Sequence, residues 1–308
     1  MPVSDQQGML WVTDEGNPAD SFRYAVSDLI HLETTEFQRL AIVETVAYGK
    51  ALLLDGDWQS CVADEFLYHE PLVHPAMLVH GEPKRVAILG GGEGATLREV
   101  LRWNSVERAV MIELDESVVN ACKRHLPEMH QGAFDDHRTE LLICDATDWL
   151  DTTKERFDVV ISDLSEPLED GPAYKLFTRE YFEQVREVLR SDGIFALQAG
   201  SAAPHEITVF ARVAHTVQSV FDTVLPYVSY VPSFCAPWGC LLAFTGARNT
   251  GWVMDPQTVD RHLADHTTGG LRMLDGEALR GLLSPSKHVR RAIENETTIY
   301  TLDNPPRV

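Results

Sequence analysis

The chain of 308 residues has no C-x-x-C pair, and its five cysteines (Cys61, Cys122, Cys144, Cys235 and Cys240) are an odd number. That argues against a disulfide-stapled scaffold, and the expectation is reduced structural thiols in a cytoplasmic protein. No apolar run approaches the ~18 residues of a membrane span. The start, MPVSDQQGM, lacks the basic and then apolar stretch of a secretory signal. Cations are scarce: Lys and Arg total 26 against 47 Asp and Glu, for a net charge of -21. Such a surface repels nucleic acid and anionic membranes and attracts cationic small molecules. Neither nucleic acid nor membrane is an expected partner. Repeats and low-complexity linkers are also lacking.

What is present falls into two textures. Residues 1–70 hold apolar, β-branched and aromatic runs, RYAVSDLIHLE, QRLAIVETVA and GKALLLDGDWQS. Tyr48-Gly49-Lys50 and Asp55-Gly56-Asp57 punctuate them as hairpin turns. DEFLYHEPLVHPAMLVH follows with roughly helical apolar spacing. From Lys84, strand and helix patterns alternate, and the helix TREYFEQVREVLR is expected to end at Ser191-Asp192-Gly193. Alternation of this kind predicts an α/β fold with a mostly parallel sheet covered by helices. Three regions result: a β-rich domain over 1–70, a catalytic domain over 71–250, and a helical tail over 251–308.

In open α/β sheets, ligands bind at the carboxyl ends of the strands. The first such end reads AILGGGEGAT, placing Gly90, Gly92 and Glu93 in a glycine loop. The next ends carry Glu113, then Asp145 followed by Ala146, then Asp163, and the last lies near Gln198. Glu113 stands where an acid accepts ribose hydroxyls, and Asp145 is suited to an adenine amine. A nucleoside site follows. Glu93 repels a pyrophosphate, which argues against dinucleotides, and it repels the carboxylate of S-adenosylmethionine. It suits the bare aminopropyl ammonium of decarboxylated S-adenosylmethionine.

The ordered set GGGEGATLREVL, MIELDESVV, HQGAFDDHR, CDATDWL and FDVVISDLSEP with GPAYKLFT resembles the polyamine aminopropyltransferases, the spermidine synthase family. YGKALLLDGDWQS and DEFLYHEPLVHPAML resemble it too. The resemblance implies a small N-terminal β domain followed by a Rossmann-like, methyltransferase-type doubly wound sheet. It implies that Gln38, Glu93, Glu113 and Asp145 hold decarboxylated S-adenosylmethionine as a co-substrate, with Ala146 beside the adenine and no permanently bound cofactor. Asp163 would be the catalytic acid residue, Tyr68 would place the acceptor amine, and Leu164 to Tyr174 would be a gate loop. A homodimer or homotetramer is implied as well. The sulfonium is a good leaving group, so the reaction needs a base for the amine proton, for which Asp163 is the candidate.

Three positions depart from a typical spermidine synthase. Glu166 stands where an Asp is usual, His69 where many putrescine users have Gln, and Phe234 where they have Tyr, with Trp238 after it. DEFLYHE, GGGEG, DLSEPLEDGPAYKLFT and VPSFCAPWG look more like thermospermine synthases and bacterial agmatine- or triamine-using enzymes. The expected acceptor is therefore a polyamine, spermidine first, with putrescine and agmatine as alternatives. His69, Glu166, Gln198, Phe234 and Trp238, with Asp163, form the expected acceptor side. A methyltransferase and a non-catalytic polyamine binder remain open. His69, Glu70, His74 and His80 match no metal pattern, and no metal is expected. Asp135-Asp136 reads as a solvated turn, Tyr181, Phe182, Trp103 and Trp149 as packing, and Cys144 as core-facing. Ser162 and Ser165 lack a His–acid partnership.

Overall fold

The structure, a computed structural model, describes residues 10–17, 20–165, 174–246 and 250–306. The first unit is an antiparallel meander of β1 (Leu10–Asn17), β2 (Asp20–Thr34), β3 (Arg39–Thr45), β4 (Gly49–Leu54) and β5 (Asp57–Cys61), in that spatial order. In β3 the run Leu40-Ala41-Ile42-Val43 does not alternate with polar residues, because both faces are covered. Ala41 and Val43 pack with Tyr24 and Trp58, whereas Leu40 and Ile42 pack with Ala95, Val118 and Met129 of the following unit. The first turn comes earlier than expected: Val46–Tyr48 turn, and Gly49 and Lys50 already pair in β4.

The second unit begins with α1 (Phe66–His80) and continues through β6 (Arg85–Gly90), α2 (Ala95–Leu101), β7 (Arg108–Glu113), α3 (Glu116–His125), α4 (Pro127–His130), β8 (Thr139–Ile143), α5 (Ala146–Thr152) and β9 (Phe157–Asp163). Next come α6 (Arg179–Val188), β10 (Leu189–Ser201), α7 (Ile207–Gln218), β11 (Thr223–Val231) and β12 (Ala236–Phe244). Three helices close the chain, α8 (Pro256–His266), α9 (Gly276–Leu282) and α10 (Lys287–Asn295). The sheet order is β11-β12-β10-β9-β6-β7-β8, with β12 antiparallel to both neighbours and the rest parallel. One face of this sheet packs on α1, α2, α8 and α9, the other on α6, α7 and α10.

One expectation about a helix end needs correction. Helix α6 stops at Val188, and Ser191-Asp192-Gly193 lies within β10. Leu189 is taken into the sheet opposite Phe157, and the register then shifts before Ile194, so the polar triplet forms an irregularity of the strand. Cys144, at the end of the edge strand β8, packs against the core as expected and also lines a cavity, half-buried between the two.

Helix α1 carries two interior prolines, Pro71 and Pro75. Each removes the N–H that would satisfy the carbonyl four residues back. The freed Leu67 carbonyl accepts the Ser229 hydroxyl at 2.7 Å, and the freed Pro71 carbonyl accepts the Tyr227 hydroxyl at 2.9 Å. Both donors sit on β11, so the prolines fasten α1 to the sheet. The Glu70 carboxylate fastens the helix on another side, accepting the backbone N–H groups of Arg272, Met273 and Leu274 at 2.7 to 2.8 Å. The helix that carries Tyr68 is thereby held from two directions.

Candidate active site

The parallel sheet reverses its winding between β6 and β9, the position where such sheets open a crevice at their carboxyl ends. Gly90 is in register with Asp163 there. Gly90 has φ 84°, and a Cβ on it would strike the Asp163 carbonyl. At Gly92 a Cβ would lie 2.8 Å from Val118 Cγ1 and 3.1 Å from Glu113 Oε2. The glycines thus let three strand ends converge.

One cavity runs along this crevice and under the β4–β5 hairpin. Gln38, Gly90, Gly92, Glu93, Glu113, Asp145, Ala146, Asp163, Tyr68, Gln198, Phe234 and Trp238 all line it. The structure therefore brings together all the predicted site residues except two. Glu166 lies outside the described residues, as does most of the predicted gate loop. His69 does not line the cavity, and stands behind Glu93 instead.

Asp163 is held at both oxygens. Tyr68 donates its hydroxyl to Oδ1 at 2.7 Å, and Thr96 donates to Oδ2 at 2.6 Å. Burial, and then the Glu93 charge, push its carboxyl above the ordinary value, against the pull of His69 and the two donors. Burial also pushes the Tyr68 phenol well up, so it stays a neutral donor.

His69 was expected on the acceptor, but its nitrogens are occupied. Nε2 lies 2.7 Å from Glu93 Oε1, Nδ1 lies 3.0 Å from Glu65 Oε2, and the side chain is 1% exposed. Burial opposes charge on the ring, but the hydrogen bonds the ring donates to Glu65 and Glu93 outweigh it and hold the imidazole up at about 10. His69 is therefore a buried imidazolium clamped between two carboxylates. Arg98 extends the network, pairing with Glu65 at 2.8 Å and with Glu99 at 2.7 Å. Glu99 in turn meets His74 at 2.9 Å and Arg102 at 2.7 Å. Ligand atoms of His69, Glu93 and Asp163 lie within 4.8 Å of one another, a spacing a metal ion could use. The imidazole nitrogen facing that point is, however, already bonded to Glu93.

At the other end, Glu113 Oε1 accepts the N–H groups of Leu114 and Asp115 at 2.8 and 3.1 Å. Burial nevertheless raises its carboxyl to about 7. Asp145 caps α5, accepting Thr147 N–H at 2.7 Å and Asp148 N–H at 3.3 Å, both through Oδ1. Burial pushes Asp145 up, but the Thr147 bonds outweigh it and the carboxyl lies below its ordinary value. Gln38 donates to Asp115 at 3.2 Å, anchoring the meander to the cap of α3.

Sequence reasoning missed four contributors: Thr96, Glu65, Asp57 and Gln59. Thr96 follows Glu93 by about one helical turn at the opening of α2, which was a readable signal. Asp57 and Gln59 line the cavity from β5. Gln59 stands out only as a polar residue between the buried Trp58 and Ser60. Glu65 announced itself by nothing but its place four residues before His69.

Comparisons with known proteins agree with this geometry. Residues 65–250 match the spermine/spermidine synthase domain, and residues 10–61 match the spermidine synthase tetramerisation domain. The chain is 49% identical to a polyamine aminopropyltransferase of Synechococcus sp. (strain JA-3-3Ab), covering 99% of this chain and 100% of that one. It is 35% identical to a thermospermine synthase of Arabidopsis thaliana, over 98% of this chain and 88% of the relative. A spermidine synthase solved in complex with the transition-state analogue AdoDATO superposes with a TM-score of 0.86 at 28% identity, over 96% of this chain and 98% of the other.

Proposed function

The chain belongs to the spermine/spermidine synthase family and is an aminopropyltransferase of polyamine biosynthesis with decarboxylated S-adenosylmethionine as co-substrate; on that premise we propose that its acceptor is spermidine and its product thermospermine. The observation that carries this is the wall made by Phe234 and Trp238, whose rings meet edge-to-face at 4.9 Å in the cavity. Phe234 offers no hydroxyl to the far amine of a short diamine. The pair offers an apolar face to the methylenes of a longer chain.

The same reading assigns the residues. Gln38, Glu113, Asp145 and Ala146 hold the nucleoside, with Gly90 and Gly92 allowing its close approach. Glu93 faces the aminopropyl ammonium. Tyr68 and Asp163 receive the attacking amine, which is mostly protonated at neutral pH because alkyl amines have pKa values near ~10. Asp163 takes the proton, the amine nitrogen bonds to the aminopropyl carbon, and the carbon–sulfur bond breaks to release neutral 5'-methylthioadenosine. A carboxyl raised by burial is the stronger base for that step. Proximity supplies much of the remaining acceleration.

An oligomer, dimer or tetramer, belongs to this reading, supported by the match of residues 10–61 and by Leu29, Leu32 and Val46, all half or more exposed in the meander. So does a cytoplasmic location, supported by five free cysteines. No helix among the described residues is long and apolar enough to cross a membrane. The test is an assay with decarboxylated S-adenosylmethionine and putrescine, agmatine, spermidine or norspermidine. Methylthioadenosine is quantified, and products are separated against thermospermine and spermine standards. Preferred turnover of spermidine to thermospermine is expected. Preference for putrescine or agmatine would overturn the acceptor while leaving the reaction class intact.

A further inference from the structure

We infer that Gln198 is a positioning residue that holds the end of β9, and hence Asp163, and that Trp238 acts through it by fixing its amide. The inference rests on aminopropyl transfer and is independent of which amine is the acceptor. Asp163 is the last residue of β9. On one side its backbone is in register with Gly90. On the other side the β9–β10 ladder ends one residue earlier, at Ser162 opposite Leu197. The next residue of β10 is Gln198, whose side chain continues where the ladder stops. Its Nε2 donates to the Leu164 carbonyl at 2.6 Å, one residue past Asp163.

The amide is locked in one orientation. Oε1 accepts the Trp238 indole N–H at 3.1 Å and the Gly200 backbone N–H at 2.9 Å. A flipped amide would set its NH2 against two donors and its oxygen against a carbonyl. Gln198 is only 2% exposed, so no water-rich alternative competes. A chain of contacts then closes on itself. Trp238 packs on Phe234, Phe234 lies edge-on to Tyr68 at 5.8 Å, and Tyr68 donates to Asp163. The sequence placed Gln198 on the acceptor; the structure spends Oε1 and one N–H of its amide on the protein itself.

The test is a double-mutant cycle on the full chain, using Gln198→Met and Trp238→Phe with decarboxylated S-adenosylmethionine and the acceptor that turns over best. Met keeps the volume without the amide, and Phe keeps the aromatic wall without the donor. Single-turnover rates and KM for both substrates are read for all four proteins, with thermal midpoints as a folding control. Gln198→Met is expected to slow the chemical step roughly 10- to 100-fold with little change in KM, as a small misplacement of a reacting group does. Trp238→Phe alone is expected to slow it by about threefold to tenfold, and to add less than about twofold on top of Gln198→Met. Fully multiplicative effects would overturn the coupling. A rise in acceptor KM alone would make Gln198 a direct acceptor ligand and overturn the positioning role. Should Gln198→Met fail to fold, Trp238→Phe decides alone: slowed chemistry at constant KM supports the inference, and a pure KM effect refutes it.

Discussion

Glu93, Asp163 and His69 share one small region, and the charge on each depends on the others. With His69 held at about 10, the cluster carries a resident cation that offsets part of the carboxylate repulsion before any ligand arrives. Asp163→Asn keeps the shape and one acceptor oxygen, so one of the Tyr68 and Thr96 hydroxyls must turn to accept from the new amide, and it removes the proposed base. Turnover is expected to fall by about 100- to 10,000-fold with binding of decarboxylated S-adenosylmethionine nearly unchanged, as rapid-mix kinetics and calorimetry would show. His69→Gln removes the cation. A histidine raised from 6.5 to about 10 contributes stability that is fully present below pH 6.5 and is lost as pH climbs through 10. The variant should therefore be less stable at pH 6 to 7, by roughly 3 kcal/mol for a broken buried pair. Its urea midpoint should also fall less steeply between pH 7 and 10 than that of the natural chain. Parallel curves for the two proteins would show that Glu65 and Glu93 do not depend on the imidazolium.

At the level of elements, α1 is an improbable helix on propensity alone, since an interior proline costs about 3 kcal/mol or more. Its buried face, from Tyr68 to Val79, is complete all round, and the sheet supplies the hydrogen bonds that the prolines forfeit. Tyr227→Phe would leave the Pro71 carbonyl buried without its donor. A loss of about 1 to 3 kcal/mol is expected in equilibrium unfolding. Because Tyr68 rides on the same helix, kcat should decline more than the KM for the nucleoside. Unchanged stability would show that the carbonyl finds another partner.

For the whole molecule, the charge of -21 acts on a cationic acceptor from a distance. The acceptor kcat/KM is expected to drop several-fold between about 20 and 300 mM salt, as the Debye length shortens. A flat profile would confine the electrostatics to the cavity. Much of the arrangement was legible in advance. Alternating strand and helix patterns announced the sheet, and the acids at the strand ends announced which carboxylates would line the cavity, because period and chain order encode both. The clamp on His69 was not legible. Glu65 stands one helical turn before His69, but Glu93 comes from the glycine loop and Arg98, which holds Glu65, from α2, and no spacing in the chain joins those two to the imidazole. Nor did the Ser191-Asp192-Gly193 triplet reveal that Leu189 would be drawn into the sheet first, since a strand partner 30 or so residues away decides it.

The two prolines of α1 also bear on how the protein comes into being. The carbonyls they free, those of Leu67 and Pro71, take their donors from Ser229 and Tyr227, in a strand made long after the helix leaves the ribosome. Until that strand docks, α1 lacks two of its hydrogen bonds, and the order of synthesis works against local completion. Tyr68, the donor to Asp163, therefore becomes fixed late. A chain truncated before β11 would carry every acid that lines the cavity and still lack a finished helix to present Tyr68.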